Sequence, residues 1–269
     1  MKPESLEKLH LDRLRLQNPY AHIEYLCSKD HGQPLLRRRP QLLSTSDQVV
    51  AAAVARVHRQ LWRSRREFWG DQVPTDAVKL LNVRHALLLQ DYQLSYVADV
   101  GQHVGRGNDL EVAGLIDRDS REVRISPTLP EVVQRFTAGH ELAHAVLHPH
   151  AGGIHRDRPI EGSARSTDPQ ERAADRFSTF FLMPENLLAA RFSAVFHTEV
   201  FELNDQTRTA LGSAAEPFEG KNVPRRVLAR VLAGLGRYNG EVFPSLATQF
   251  GVSISTTAIR LEELGFVVD

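Results

Sequence analysis

The chain has 269 residues, 42% hydrophobic and 25% charged, with a formal net charge of zero, so composition does not indicate a nucleic-acid or membrane protein. Cys27 is the only cysteine, which excludes a disulfide framework and leaves histidine and carboxylate as candidate metal ligands. The start, "MKPESLEKLH", lacks an apolar stretch, and no run approaches the roughly 18 apolar residues of a membrane span, so we expect a cytoplasmic protein.

Residues 1–45 are polar, and we predict a poorly ordered or loosely attached N-terminal segment there. Positive charge is concentrated in this part of the chain, because residues 1–72 contain 13 Lys and Arg against 8 Asp and Glu. The excess includes "LLRRRP" (35–40) and "RSRREF" (63–68). Such arginine runs usually form a solvated face, and contact with nucleic acid is the alternative interpretation.

Four elements are predicted before the middle of the chain. Apolar residues at helical spacing predict a helix over 47–69, and a second, short helix follows over 74–83. Residues 85–100 are rich in strand formers. Two alternating runs that meet at a "DRDS" turn predict a hairpin over 111–126.

Helices predominate in the second half. We predict a helix over 130–148, a loop over 149–167, and a further helix from Asp168 to about Pro184. The fold class is therefore α+β: helices with a short antiparallel sheet over residues 46–200, then a mostly helical module over residues 201–269.

The last fifty residues have the outline of a helix-turn-helix. "VPRRVLARVLAGL" predicts an amphipathic helix, and residues 244–269 predict a helix, a turn, a second helix and a short strand that could be a wing. We expect Thr256, Thr257 and Arg260 to be exposed on the second of these helices and to contact DNA or a partner. The charge of the segment is balanced, which does not favour DNA.

A candidate metal site lies in the helix over 130–148. His140, Glu141 and His144 form an HExxH motif, and two histidines four residues apart project from the same face of a helix. Glu141 lies about 100° around the helix from His140, where a carboxylate can act as general base toward a metal-bound water. The alternative is two core histidines that are hydrogen-bonded to neighbouring carbonyls.

Two routes lead to a third ligand. His150 has the spacing of the metzincin pattern, but Leu147 stands where that pattern has glycine. His148 lies one turn after His144 and more naturally supports the site or the helix end. The other route is Glu171, which precedes Asp175 by one turn, as in gluzincins, where a glutamate is the third ligand and a second acid orients a histidine.

Both acids also have ordinary interpretations. Asp168 and Glu171 are spaced as in an N-terminal capping box, and Asp175 could pair with Arg172 or Arg176 on the surface. Because HExxH lies upstream and the chain lacks a cysteine site, the ligand interpretation of Glu171 is favoured.

Two segments together resemble the ImmA/IrrE metallopeptidase family. They are "RFTAGHELAHAVLH" and "ERAADRFSTFFLMP", which match the family's R-F-T-x-x-H-E-x-x-H and E-x-x-A-[ND]-x-F-A patterns, the second ending in L-M-P, and the resemblance covers about residues 75–190. In this chain Asp175 stands where Asn is common, Ser178 replaces the usual Ala, and Ala138-Gly139 replaces Leu-Ala. None of these differences removes a ligand.

The resemblance implies a small gluzincin-like zinc peptidase. His140, His144 and Glu171 are then the ligands of one Zn²⁺, with Mn²⁺ as an alternative, and Glu141 is the catalytic base. Asp175 and His148 support the ligands. Family members cut a helix-turn-helix repressor and thereby relieve repression of stress-response or mobile-element genes.

The substrate is expected to bind as an extended peptide, by adding to an edge strand within "EVRIS" or "LLLQDYQ". Two other classes of function compete with the peptidase. The chain could be a DNA-binding regulator in which zinc is structural or sensory, or an antitoxin-like scaffold with a vestigial site.

Overall fold

The computed structural model describes residues 44–98, 100, 102–104, 109–149, 154–156, 168–218 and 223–268. The predictions made for residues 1–43, for Cys27 and for His150 lie outside these residues. The chain divides into two compact units, and among the described residues the first ends at Leu182 and the second begins at Met183.

The first unit contains six helices among its described residues. They are α1 (Thr45–Arg63), α2 (Arg65–Trp69), α3 (Ala77–Leu80), α4 (Val83–Leu88), α5 (Glu131–Leu147) and α6 (Pro169–Leu182). The described strands of this unit are β1 (Gln93–Tyr96), β2 (Gln102–Val104), β3 (Asp109–Glu111), β4 (Gly114–Asp117), β5 (Glu122–Ile125) and β6 (Ile154–Arg156).

Helix α1 follows the predicted apolar spacing. The hydroxyl of Ser44 accepts from the N–H of Asp47 and caps the helix. Val50, Val54, Val57 and Leu61 are buried along one face, where i, i+3 and i+4 positions lie above one another. This face packs in the first unit, and the opposite face is open to solvent.

The sheet is mixed, with strand order β1-β5-β4-β6. Strands β4 and β5 form the predicted antiparallel hairpin, with Gly114 opposite Ile125 and Asp117 opposite Glu122. Strand β1 is parallel to β5, so the prediction of an antiparallel sheet is wrong for this strand. A connection of 25 residues or so, including the β2–β3 pair, gives the chain room to return parallel.

Two local predictions need correction. Residues 85–88, which the sequence placed in a strand-forming run, belong to helix α4 (Val83–Leu88) instead, because the side chain of Asn82 accepts from the N–H of His85 and caps a short helix. Within the segment predicted as a loop, β6 pairs antiparallel with β4. The α+β fold class itself is confirmed.

The second unit is mostly helical. Its described elements are α7 (Glu185–Phe196), α8 (Asp205–Leu211), a 3₁₀ helix (Gly212–Phe218), α9 (Arg225–Gly234), β7 (Arg237–Tyr238), β8 (Glu241–Val242), α10 (Leu246–Phe250) and α11 (Ile254–Glu263). Aromatic rings fill its core, with Phe192, Phe196, Phe201, Tyr238 and Phe266 in mutual contact. Helix α7 belongs to this unit, whereas the sequence suggested a domain boundary after residue 200.

Helices α10 and α11 form the predicted pair, with Gly251 at φ 61° in the turn between them. We predicted that Thr256, Thr257 and Arg260 are exposed on α11, and this is wrong for two of the three. Thr257 is fully buried and Arg260 is only 5% exposed. They lie on a different face of α11 from Ser255 and Glu262, whose side chains bond to α9. Thr256 is half-buried. The residues most open to solvent at the start of α11 are Ile254 and Ser255.

No helix among the described residues is long and apolar enough to cross a membrane.

Candidate metal centre

Helix α5 places the HExxH motif in the interior of the first unit. Every residue from Thr137 to Val146 is buried, so burial extends to all faces of the helix rather than to one stripe. Helix α6 covers one side of α5 and strands β4 and β5 cover another. The helix spans Glu131–Leu147, as predicted within a residue at each end.

Three side chains converge at the centre of this helix pair. The Nε2 atoms of His140 and His144 lie 3.1 Å apart. The carboxylate of Glu171, on α6, places one oxygen 3.3 Å from His140 Nε2 and the other 3.3 Å from His144 Nε2. His140, His144 and Glu171 are all buried, and together they could hold a metal ion.

Asp175 lies behind His140. Its Oδ1 is 3.0 Å from His140 Nδ1, and the natural assignment is that Nδ1–H donates to this carboxylate. Nε2 of His140 then presents a lone pair to the centre of the cluster. Arg176, one of the two arginines considered as a surface partner of Asp175, makes an ion pair with Asp47 at 3.0 Å.

The chemistry of these donors fits a cation. An imidazole lone pair and a carboxylate meet in a space that excludes water, and such a set of buried acceptors is costly without a positive charge between them. A metal ion supplies that charge, and thus the residues fit the metal site that the sequence predicts. The alternative, two core histidines bonded only to neighbouring carbonyls, does not fit the observed geometry.

Glu141 and His148 occupy the positions expected from the helix. Glu141 is completely buried and follows His140 directly, about 100° around α5. His148 is half-buried just after the helix, and its backbone N–H donates to the carbonyl of His144 at 3.2 Å. Its ring centroid is 5.6 Å from that of His144, next to the cluster but outside the three converging donors.

The capping interpretation holds for Asp168 and the ligand interpretation holds for Glu171. Asp168 does cap α6, since its Oδ1 accepts from the N–H of Gln170 at 2.8 Å. Glu171, one turn into the helix, extends to the two histidines instead. The capping residue Asp168 therefore correctly indicated where α6 begins. The spacing of Glu171 and Asp175 correctly indicated that Glu171 faces the histidines.

The sequence did not predict two contacts that position the HExxH motif on α5. A Cβ on Gly114 would lie 2.7 Å from Thr137 Cγ2, so β4 packs directly on α5 one turn before the motif. Arg135 donates from Nη2 to the carbonyl of Leu81 at 3.1 Å and fastens α5 to the segment before α4. A glycine within a strand was the available signal for the first contact.

The predicted substrate strands are also corrected by the sheet. Strand β5, which contains most of "EVRIS", is paired on both sides and has no open edge. Of "LLLQDYQ", only Gln93 belongs to a strand, at the start of β1. Within the described residues, the outer strands of the four-stranded sheet are β1 and β6.

Comparison with known families agrees with this geometry. Residues 97–216 match the family model of the IrrE N-terminal-like domain, Peptidase M78. The chain carries an IrrE N-terminal-like domain. The resemblance to ImmA/IrrE metallopeptidases is thereby confirmed, and the matched residues include His140, His144 and Glu171. No curated protein matches the chain.

The IrrE-like match begins in the segment after β1 and ends in the 3₁₀ helix of the second unit. It therefore runs past both the compact boundary at Leu182 and the predicted boundary at residue 200. The C-terminal helix pair lies beyond the match, and its assignment as a helix-turn-helix stays a prediction.

Proposed function

We propose that this protein is a zinc-dependent endopeptidase that cuts a regulatory protein, most simply a helix-turn-helix repressor, and so switches on stress-response or mobile-element genes. The observation that carries the proposal is the convergence of His140 Nε2, His144 Nε2 and the Glu171 carboxylate at 3.1–3.3 Å. A cytoplasmic setting, where such a repressor acts, belongs to the proposal.

The donor set supports zinc. Two imidazoles and a carboxylate are the protein ligands of hydrolytic zinc sites such as that of thermolysin. The two Nε2 atoms lie 3.1 Å apart, near the roughly 3.3 Å expected between ligands about 2.0–2.1 Å from a tetrahedral Zn²⁺, and each oxygen of Glu171 lies 3.3 Å from one of them. Mn²⁺ also accepts two imidazoles and a carboxylate, so metal content has to be measured directly.

Three protein ligands leave a position for water, as in hydrolytic zinc sites. Zinc, when bound, lowers the pKa of that water and polarises the scissile carbonyl. The remaining chemistry belongs to the protein's own side chains. Glu141 takes a proton from the attacking water at its carboxylate and later delivers it to the leaving amine.

Supporting residues hold this arrangement in place. Asp175 accepts from His140 Nδ1–H and thus directs the opposite nitrogen to the ligand position. His148 packs beside the ring of His144. The buried surroundings of α5 exclude water from the side of the helix pair, which strengthens the electrostatic effect of each charged group.

Glu141 separates the peptidase from a regulator with a structural zinc site. A structural site needs ligands but has no use for a buried carboxylate beside them, and Glu141 is fully buried next to His140. Burying a carboxylate is costly, so its presence at this place is better explained by a role in proton transfer.

The test uses the full chain, loaded with zinc, and a helix-turn-helix repressor as the substrate. Wild-type protein should contain one zinc per chain and cleave the repressor. Glu141→Gln should retain zinc and lose cleavage by about 10²-fold or more. Glu131→Gln is the matched control, since Glu131 is exposed at the start of the same helix and its variant should cleave normally. Zinc-bound Glu141→Gln with undiminished cleavage would overturn the proposal.

A further inference from the structure

Arginines form an exposed row along the first helices. Arg56, Arg59 and Arg63 lie on α1 and Arg66 lies on α2. At 100° per residue the three on α1 fall within about 60° of one another, opposite the face that carries Val54 and its buried neighbours. Arg56, Arg63 and Arg66 are exposed, and Arg59 is half-buried. We call these four residues the arginine ridge.

Positive charge predominates along this ridge. Residues 48–67 contain five arginines and one acidic residue, Glu67, although the whole chain has equal numbers of acidic and basic residues. Within the part of the chain that the structure describes, none of the ridge arginines forms an ion pair, whereas Arg124, Arg176 and Arg226 each pair with a carboxylate.

Repulsion between the ridge arginines destabilises the helix that carries them. Like charges three or four residues apart repel by about 0.2–0.5 kcal/mol for each pair, and the ridge spacing is three, four and three. Arg65, the fifth arginine, is not part of the ridge, because its guanidinium stacks on Trp62 at 3.9 Å and donates to the carbonyl of Trp62. An external anion that contacts all four ridge residues would relieve this repulsion.

The composition of the ridge favours phosphate. All of its cations are arginine, whose planar fork binds phosphate oxygens in pairs and is less strongly hydrated than lysine. A membrane surface fits poorly, since a helix that lies on lipid needs an apolar face to insert. In α1 that face is already buried by the first unit.

The dimensions favour duplex DNA among the phosphate polymers. From Arg56 on α1 to Arg66 on α2 the ten-residue separation corresponds to about 15 Å at the helical rise, along which B-DNA presents about nine charges at one per 1.7 Å. Its major groove, about 12 Å wide, admits an α-helix. The major groove of A-form RNA is too narrow to do so.

We propose that the arginine ridge holds the protein on duplex DNA through phosphate contacts, without reading the base sequence. Helix α1 is fixed to α6, which carries Glu171, by the Asp47–Arg176 ion pair and by a bond of 3.1 Å between His58 Nε2 and the carbonyl of Phe181. The ridge points away from α6, so DNA contact leaves the metal cluster unobstructed.

This inference goes beyond the peptidase and does not depend on it. A protease held on DNA by phosphate contacts is concentrated where a DNA-bound substrate lies, but DNA binding is measurable without any cleavage. Failure of either proposal therefore leaves the other unaffected.

The experiment measures binding of the full, zinc-loaded chain to a labelled DNA duplex of arbitrary sequence by fluorescence anisotropy at 50–200 mM salt. Four phosphate contacts predict that log K falls with log salt concentration with a slope of about −3 to −4. The variant R56Q/R59Q/R63Q should bind at least about tenfold more weakly at 50 mM salt, and its slope should be shallower by about 3. Glutamine keeps helix propensity, and an unchanged melting temperature and helical circular dichroism would confirm the fold of the variant.

A matched control removes the same charge elsewhere. Arg225, Arg230 and Arg237 are exposed in the second unit, and R225Q/R230Q/R237Q should bind DNA like the wild type. The proposal is overturned if the wild type does not bind at 50 mM salt, or if the ridge variant binds unchanged. Loss of binding in the control alone would also overturn it and assign DNA contact to the C-terminal helices. An RNA duplex that competes as well as DNA would contradict the choice of duplex DNA.

Discussion

Gly139 leaves open the space that the hydroxyl of Ser178 occupies between α5 and α6. A Cβ on Gly139 would lie 2.6 Å from Ser178 Oγ and 3.4 Å from its Cβ. The same hydroxyl donates to the carbonyl of Phe136 at 2.9 Å. This contact fixes the helix separation immediately before His140.

Gly139→Ala should therefore destabilise the protein. Alanine is the better helix former by about 1 kcal/mol, but the added methyl must move the hydroxyl of Ser178 from its bond with the carbonyl of Phe136, and overpacking of this kind costs about 1–3 kcal/mol. Because Ser178 lies on the same helix as Glu171, we expect zinc affinity to fall as well. Urea denaturation and a competitive zinc titration measure the two effects.

The double variant provides the control. Ser178→Ala alone loses one hydrogen bond, worth about 1 kcal/mol, whereas Gly139→Ala with Ser178→Ala should be close to wild-type stability. The two changes should thus be strongly non-additive. Additive losses would show that Gly139 and Ser178 do not share one space.

Asp175 should be replaceable by asparagine but not by alanine. An amide oxygen can still accept from His140 Nδ1–H, at the position where Asp175 Oδ1 lies 3.0 Å away. Loss of this acceptor in Asp175→Ala should weaken metal binding by about 10–100-fold. Asp175→Asn should stay within a few-fold of wild type. Equal zinc affinities for the alanine and asparagine variants would contradict the orienting role.

His85 should make stability depend on pH. Burial, with a smaller contribution from repulsion by Arg84, holds the pKa of His85 below its ordinary value near 6.5. Its ring is stacked on Phe68 at 4.2 Å between centroids and meets Trp69 at 4.6 Å. The unfolded chain therefore takes up the proton more readily than the folded one as pH falls below about 6.5.

Stability attributable to His85 is thus present above pH 6.5 and declines as pH falls toward its lowered pKa. We expect the melting temperature of wild type to drop more steeply between pH 7 and pH 5 than that of His85→Asn, which has no proton to gain. Thermal melts of both proteins across this range measure the difference. Equal decreases in melting temperature for the wild type and His85→Asn would contradict the assignment of this pH dependence to His85.

Arg260 should matter for stability rather than for ligand contact. It is 5% exposed and lies 3.5 Å from Glu263, so Arg260→Ala leaves a poorly packed space and an altered charge in the second unit. We expect a loss of about 1–3 kcal/mol in unfolding free energy. Ser255→Ala, at an exposed position on the same helix, should change it by less than about 0.5 kcal/mol. A thermally stable Arg260→Ala that loses DNA or partner binding would restore the sequence-based interpretation.

Local patterns predicted most helices but fewer strands. The apolar spacing of α1 and the capping residue of α6 involve neighbours three or four positions apart, which a sequence displays directly. Helix α4 was missed because its run of leucines suits either helix or strand, and the cap at Asn82 decided between them. Strand β6 was missed since three residues of pairing leave no periodicity to detect.

The exposure of α11 illustrates the remaining difficulty. Thr257 and Arg260 are polar, and polar residues on an amphipathic helix are expected to face solvent. Both are buried instead, and the hydroxyl of Thr257 donates to the carbonyl of Ser253 at 3.0 Å. Which face of a helix is covered depends on its neighbours, so periodicity alone could not decide it.

The sequence by itself determined the chemical components of the site: two histidines on one helix face with Glu141 between them, and Glu171 and Asp175 on one face of a later helix. These follow from a repeat of 3.6 residues per turn, which is local. Only the tertiary structure decided that Glu171 meets both histidines and that Asp175 lies behind His140. It also decided that Gly139 and Ser178 set the spacing of the two helices. Those contacts join residues more than 25 positions apart, and their geometry depends on how helices and sheet pack rather than on any neighbouring residue.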